Sequence, residues 1–293
     1  MQRPARIIAV MLFRLRMTID EAITAYTRLV EDVFSSKTIL GSHKPRTSAF
    51  RLENAITKFI CSSLNVEESQ AQKVCMLNDN GPKWQVATPH VMASIYLYCS
   101  FVGAVTANNL SFPTLFRAYV PPRHASYNCT IVEAIRATTA EEPFFPRIDI
   151  GDANAKETFI HGGSRINNPV KALLEEAVEI FPGRPASCVL SIGSGAQGTT
   201  GFEATSITEL AKVLKKVIGD GESISDEIAK ELSYKEVFYC RLNVDHGLDN
   251  IGFRDWEKLG VVKTHTRKYL ELYDVTQKVD RLVQILNRRV GLF

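Results

Sequence analysis

Residues 158–195 read TFIHGGSRINNPVKALLEEAVEIFPGRPASCVLSIGSG, and their order decides the fold class. A β-branched and aromatic run around Thr158 to Ile160 ends in His161-Gly162-Gly163, where glycines permit close approaches that a Cβ would block. Pro169 then opens a helix over Val170 to Ile180, at the helical position where a missing N–H is tolerated. Cys188 to Ile192 is a buried-strand run closed by Gly193-Ser194-Gly195. Strand, helix and strand in that order make the repeating unit of an α/β fold with a largely parallel sheet.

The pattern continues on both sides. Thr18-Ile19-Asp20-Glu21 is a capping box that starts a helix running to Phe34, with Ile19, Ile23, Tyr26, Val30 and Val33 on one face. Further helices are expected over Ala49 to Cys61 and Thr130 to Thr138, with β-like runs at Leu97 to Val105 and Leu115 to Val120. Downstream come a helix over Ile207 to Ile218 and a strand over Val237 to Val244. One long helix fills much of Val262 to Arg289, and Val275, Val279, Leu282, Val283 and Leu286 give it an apolar face that should pack on the domain. Residues 82–98 are apolar and aromatic and break the rhythm, as a buried hairpin, an extra core element or a surface insertion.

Composition narrows the partners. With 45% hydrophobic and 23% charged residues, the 293-residue chain suits one large domain or two small ones. A net charge of +3 is too weak to make nucleic acid or an anionic membrane the main partner. No run reaches the ~18 consecutive apolar residues needed to span a bilayer. Cys61, Cys75, Cys99, Cys129, Cys188 and Cys240 are scattered without a C-x-x-C pair, which reads as buried free thiols in a reducing compartment. No H-E-x-x-H or comparable histidine spacing occurs, so no metal site is expected. Met1 to Arg16, basic around the apolar run Ile7 to Phe13, has the look of an address peptide, but the helical pattern continues well past it. The sequons at Asn109 and Asn128 matter only in a secreted protein.

Two motifs compete for the chemistry. Gly193-Ser194-Gly195-Ala196-Gln197-Gly198 fits G-x-G-x-x-G after a strand, with Asp220 and Glu222 where a ribose-binding carboxylate would stand. Against a dinucleotide site, Thr199-Thr200-Gly201-Phe202 separates the loop from the next helix, and the motif lies two-thirds along the chain. The turn is therefore expected to be structural, and no cofactor is expected. His161-Gly162-Gly163-Ser164-Arg165-Ile166-Asn167-Asn168-Pro169 is more informative. Together with Leu173-Leu174-Glu175-Glu176-Ala177 and Val189-Leu190-Ser191-Ile192-Gly193-Ser194-Gly195, it resembles the patatin-like phospholipase family. So do Leu115 to Tyr119, Ala134 to Ala140, Phe181 to Pro185, Asn243-Val244-Asp245 and Trp256 to Leu259, nearest to fungal members. The resemblance covers most of Ile7 to Leu270 apart from residues 82–98.

That resemblance implies a patatin-like three-layer α/β fold and lipid acyl hydrolysis by a Ser–Asp dyad. The serine stands in G-x-S-x-G at a strand-to-helix elbow, the aspartate of Asp-Gly-Gly is its base, and a glycine-rich loop supplies oxyanion donors. No G-x-S-x-G occurs in this chain. Counting back from the apolar helix Ile8 to Leu12 puts Arg3 in the serine's place, with Met1 and Ala5 in place of glycines. An arginine stays protonated and cannot attack a carbonyl. Pro4 has no N–H for an oxyanion. His161 stands for the aspartate; an unperturbed histidine, titrating at about 6.5, could serve as a base. Gly162 and Gly163 are retained.

The expectation is a single truncated domain over residues 1–293, lacking the fold's first strand and elbow strand. Its family core is about 7–218, followed by a helical part about 219–293. It descends from lipid acyl hydrolases and is expected to be inactive, cytoplasmic or peripheral to membranes, with lipid or acyl ester as its ligand class and self-association through an open sheet edge. A hydrolase using another nucleophile, with Ser164 as the candidate, and a non-catalytic lipid- or protein-binding module are the alternatives.

Overall fold

A computed structural model describes residues 3–35, 45–78, 99–123, 127–162, 168–195, 221–248, 251–252 and 254–290. The segment 82–98, the helix expected over 207–218, Gly163, Ser164 and the loop beyond Gly195 lie outside them. The chain divides into two compact units, Arg3–Ile166 and Asn167–Phe293.

In the first unit, α1 (Arg3–Ala9) runs into a π-helical turn (Val10–Arg14). Ile7, Val10 and Met11 are buried there. The capping box forms as read from the sequence. Thr18 Oγ1 accepts the Glu21 N–H and Glu21 Oε2 accepts the Thr18 N–H, opening α2 (Ile19–Phe34). Its buried side chains are Ala22, Leu29, Val30, Val33 and Phe34, whereas Ile19 and Ile23 are 70% and 60% exposed. The buried stripe is rotated towards Ala22 and Leu29, so Val30 and Val33 of the expected face are buried while Ile19 and Ile23 fall outside it. The helices α3 (Pro45–Leu64), α4 (Glu68–Ala71) and α5 (Ile131–Thr139) complete the helical part.

Four strands form one sheet in the order β2-β1-β4-β3: β1 (Phe101–Thr106), β2 (Asn109–Arg117), β3 (Ile148–Ile150) and β4 (Glu157–His161). Every pairing in it is antiparallel, which corrects the expectation of a largely parallel sheet for this unit. The reason is connection length. Ala107 and Asn108 alone join β1 to β2, and residues 151–156 join β3 to β4, too few for the crossover that parallel strands need. Phe116, Phe159 and Tyr127 stack edge-on against one another beneath the sheet, with ring centroids 5.3–5.4 Å apart. Burial, with Glu157 beside it, pushes the Tyr127 hydroxyl up to about 12, so it remains a donor at neutral pH, to Ile150 O and Glu157.

One buried cation organises α5. Arg136, 3% exposed, donates from Nε to Glu53 Oε1 at 2.8 Å and from Nη2 to Pro146 O at 3.2 Å, and lies over the Phe145 ring. Removing one partner of such a pair strands a charge in a medium that cannot solvate it. Glu53→Ala is expected to lower stability by roughly 2–3 kcal/mol, below the range for fully buried pairs because water still reaches Glu53. Glu53→Leu with Arg136→Met should cost less than Glu53→Ala alone. Urea unfolding of the three variants checks this, and a double variant worse than the single would count against it.

In the second unit, α6 (Val170–Ile180) and β5 (Cys188–Ile192) have the limits read from the sequence. β5 pairs in parallel with β6 (Phe238–Leu242), so the parallel pairing of the sequence reading is found here. Between them α7 (Gly221–Tyr234) packs Ile228 and Leu232 against Val170 and Val189. The long C-terminal helix is two, α8 (Leu259–Leu270) and α9 (Tyr273–Val290), separated at Glu271-Leu272. α9 packs on β6 through buried Val275 and Leu282, with the Arg281 guanidinium 4.7 Å over the Phe238 ring.

Candidate functional site

His161 is the last residue of β4, an interior strand, and pairs with Ala104 of β1. Its N–H donates to Ala140 O at 2.9 Å, just past the end of α5. Its Nε2 lies 3.9 Å from Glu141 Oε2, an ion-pair separation too long for a direct hydrogen bond. Both side chains are largely withdrawn from water, at 25% and 13% exposure. Gly162, next in the chain, is buried.

The same end of α5 is gripped from two other sides. Thr138 Oγ1 donates to Gly103 O at 2.8 Å, fixing α5 to β1, and Arg6 Nη1 donates to Thr138 O at 2.6 Å, fixing α1 to α5. The helix that carries Arg3 and the strand that ends at His161 therefore meet at one helix terminus. Arg3 is the first residue of α1. Pro4 follows it in the first turn, where its missing N–H is tolerated.

What can this arrangement do? His161 beside a carboxylate could hold or pass a proton, and the described hydroxyls and thiols can be weighed as nucleophiles. Thr138 donates its hydroxyl to Gly103 O and Thr139 to Ile135 O, so both are engaged in holding α5. Thiols are poor candidates as well. Burial pushes Cys99 up to about 11 and Cys129 up to about 12, leaving almost no thiolate at neutral pH. Among the described residues, no three His, Cys, Asp or Glu side chains converge as metal ligands would.

The sequence reading singled out His161 and did not name Glu141, which lies beside it. The signal was Glu141-Glu142 set between Ala140 and Pro143 in otherwise apolar surroundings. Arg6 was missed too, because nothing local marks an arginine whose partner is a carbonyl 132 residues away.

The Gly193 turn is explained by packing. Gly193 N donates to Leu242 O, and Gly195 N donates to Asn243 Oδ1 at 2.8 Å. A Cβ at Gly193 would collide with the Asn243 side chain, and Gly195 has a φ of +103° beside Leu248. Glu222 accepts from Asn243 Nδ2 at 2.7 Å and from the Arg241 guanidinium. The Gly195 amide that would face a pyrophosphate is thus occupied, and Glu222, one of the two carboxylates expected near a ribose, is held by an arginine, while Asp220 lies outside the described residues.

Calcium-independent phospholipase A2-gamma of Rattus norvegicus is 26% identical over 293 residues, covering 96% of this chain. The chain is distantly homologous to a phospholipase. The proteins of the same name from Mus musculus and Homo sapiens are also 26% identical, over 296 and 290 residues. The chain spans 34% of the length of each. No protein-family model matches it. No described helix is long and apolar enough to cross a membrane.

Proposed function

We propose that this chain is a patatin-like protein of lipid metabolism, descended from acyl ester hydrolases, that does not itself cleave acyl esters. One observation carries the reading. Similarity to a phospholipase extends over 96% of the chain, yet no G-x-S-x-G occurs within it and a histidine stands at position 161. Acyl transfer needs a hydroxyl activated by a base and donors aimed at the developing oxyanion. Arg3 offers neither a hydroxyl nor a removable proton, and Pro4 offers no N–H.

The resemblance of its motifs to patatin-like proteins, nearest to fungal members, belongs to the same proposal, and those motifs fall in both compact units. A cytoplasmic protein, or one peripheral to membranes, follows from it, with a lipid or acyl ester as ligand. The second reading is a non-catalytic lipid-binding module, favoured by the exposed Leu110 and Phe112. Release of p-nitrophenol from p-nitrophenyl butyrate and of fatty acid from a lysophospholipid is expected to match the buffer blank. Turnover that disappears with Ser164→Ala would overturn the proposal in favour of another nucleophile.

A further inference from the structure

We infer that the tip of the β1–β2 hairpin is a contact for a neutral lipid surface. Asn109 to Pro113 are five consecutive exposed residues, and among them Leu110 is 51% and Phe112 73% exposed. Two residues apart on a strand, they project to the same side. Exposed apolar side chains on a tip lose little by remaining in water singly, but together they form a wedge suited to an apolar phase.

Three further features select lipid as the occupant. The first is charge. Between Lys83 and Arg117 the sequence holds no Asp, Glu, Lys or Arg, so no ionised group of this stretch must shed its hydration. The second is the backbone. Unpaired polar groups are costly at membrane depth, and three of the tip's N–H groups are engaged. Asn109 N donates to Thr106 Oγ1, which donates in turn to Asn109 O, both at 3.2 Å. Ser111 N donates to Asn109 Oδ1 at 3.1 Å, and Ala107 N donates to Thr158 O at 2.8 Å. The third is the edge. β2 is an outer strand, but Pro113 within it has no N–H, which makes it a poor template for an added strand from a second copy or a peptide. The tip itself carries no charge. The β3–β4 connection and the first residue of β4 beside it bring exposed Asp152, Lys156 and Glu157, a net negative set, so attraction to anionic headgroups adds nothing and binding should depend on buried apolar area.

The inference rests on the lipid-metabolic reading only in preferring lipid to protein. Its test uses the whole 293-residue chain and phosphatidylcholine vesicles at low and high salt. Co-sedimentation is expected to be insensitive to salt and to weaken by about tenfold or more in Leu110→Ser with Phe112→Ser, as losing two buried apolar side chains implies. Fluorescence of the Phe112→Trp variant should be quenched by brominated phosphatidylcholine beyond the quenching of the unsubstituted chain. Equal vesicle binding by the double variant, or no added quenching, overturns the inference. So does a chain that ignores vesicles but forms a dimer dissolved by the double substitution, which would assign the tip to a protein partner. No hydrolysis is measured, so failure here leaves the reading of the missing nucleophile to its own assay.

Discussion

Phe159→Ala is expected to lower the unfolding free energy by about 3–5 kcal/mol, the range for a large aromatic removed from a packed core. Phe159 is fully buried on β4, and β4 is flanked by β1 and β3. Its ring meets Phe116 and Tyr127 edge-on, at 5.3 and 5.4 Å, and such pairs add about 0.5–1.5 kcal/mol each beyond area burial. No neighbouring strand can collapse into the void without breaking the ladders on both sides. The loss is comparable to the ~5–15 kcal/mol by which domains are stable. It would reach the candidate site too, since the same strand carries His161 two residues on. Phe112→Ala, at an exposed position, should stay within about 0.5 kcal/mol. Urea unfolding followed by circular dichroism compares the two, and a Phe159→Ala loss under about 1 kcal/mol would show that this cluster does not hold the sheet.

The second large expectation concerns chemistry. Arg3→Ser with His161→Asp puts a serine and an aspartate at the two positions to which the family resemblance assigns the dyad, and under the proposed reading should produce no turnover of p-nitrophenyl butyrate or a lysophospholipid. Removing a single oxyanion donor costs roughly 3 kcal/mol of transition-state stabilisation, more than a hundredfold in rate. On the alignment that the resemblance implies, Pro4 supplies no donor, Met1 and Ala5 take the places of the G-x-S-x-G glycines, and Arg6 that of the glycine that follows them in the family. Nor can Arg6 simply be made glycine, because its guanidinium ties α1 to Thr138 O. Hydrolysis at even a hundredfold above the blank in the double variant would show that the site needs only its two side chains.

How much of this could be read from residues alone depended on whether the signal was local. α6 and β5 have their expected limits because Pro169, the glycines and an unbroken apolar run mark both ends. His161 was legible because a Gly-Gly turn after a β-branched run fixes a strand end. The antiparallel sheet was not foreseen, since β3 is only three residues, Ile148–Ile150, and too short to show an alternation. The break between α8 and α9 falls in Leu270-Glu271-Leu272-Tyr273, which contains neither glycine nor proline. Glu141 beside His161, Glu53 beside Arg136 and Asn243 beneath the Gly193 turn are all contacts between distant segments. Those require the fold.

The most direct test of the missing nucleophile is covalent. A fluorophosphonate ester phosphonylates any serine that a neighbouring base has activated, whatever ester the protein prefers, and intact mass spectrometry counts the adducts. The account predicts an unshifted mass for the unmodified chain after prolonged exposure to excess reagent, beside a serine hydrolase labelled to completion. A stoichiometric single adduct, mapped by peptide sequencing to Ser164 or to any other serine and lost on heat denaturation before labelling, would contradict it.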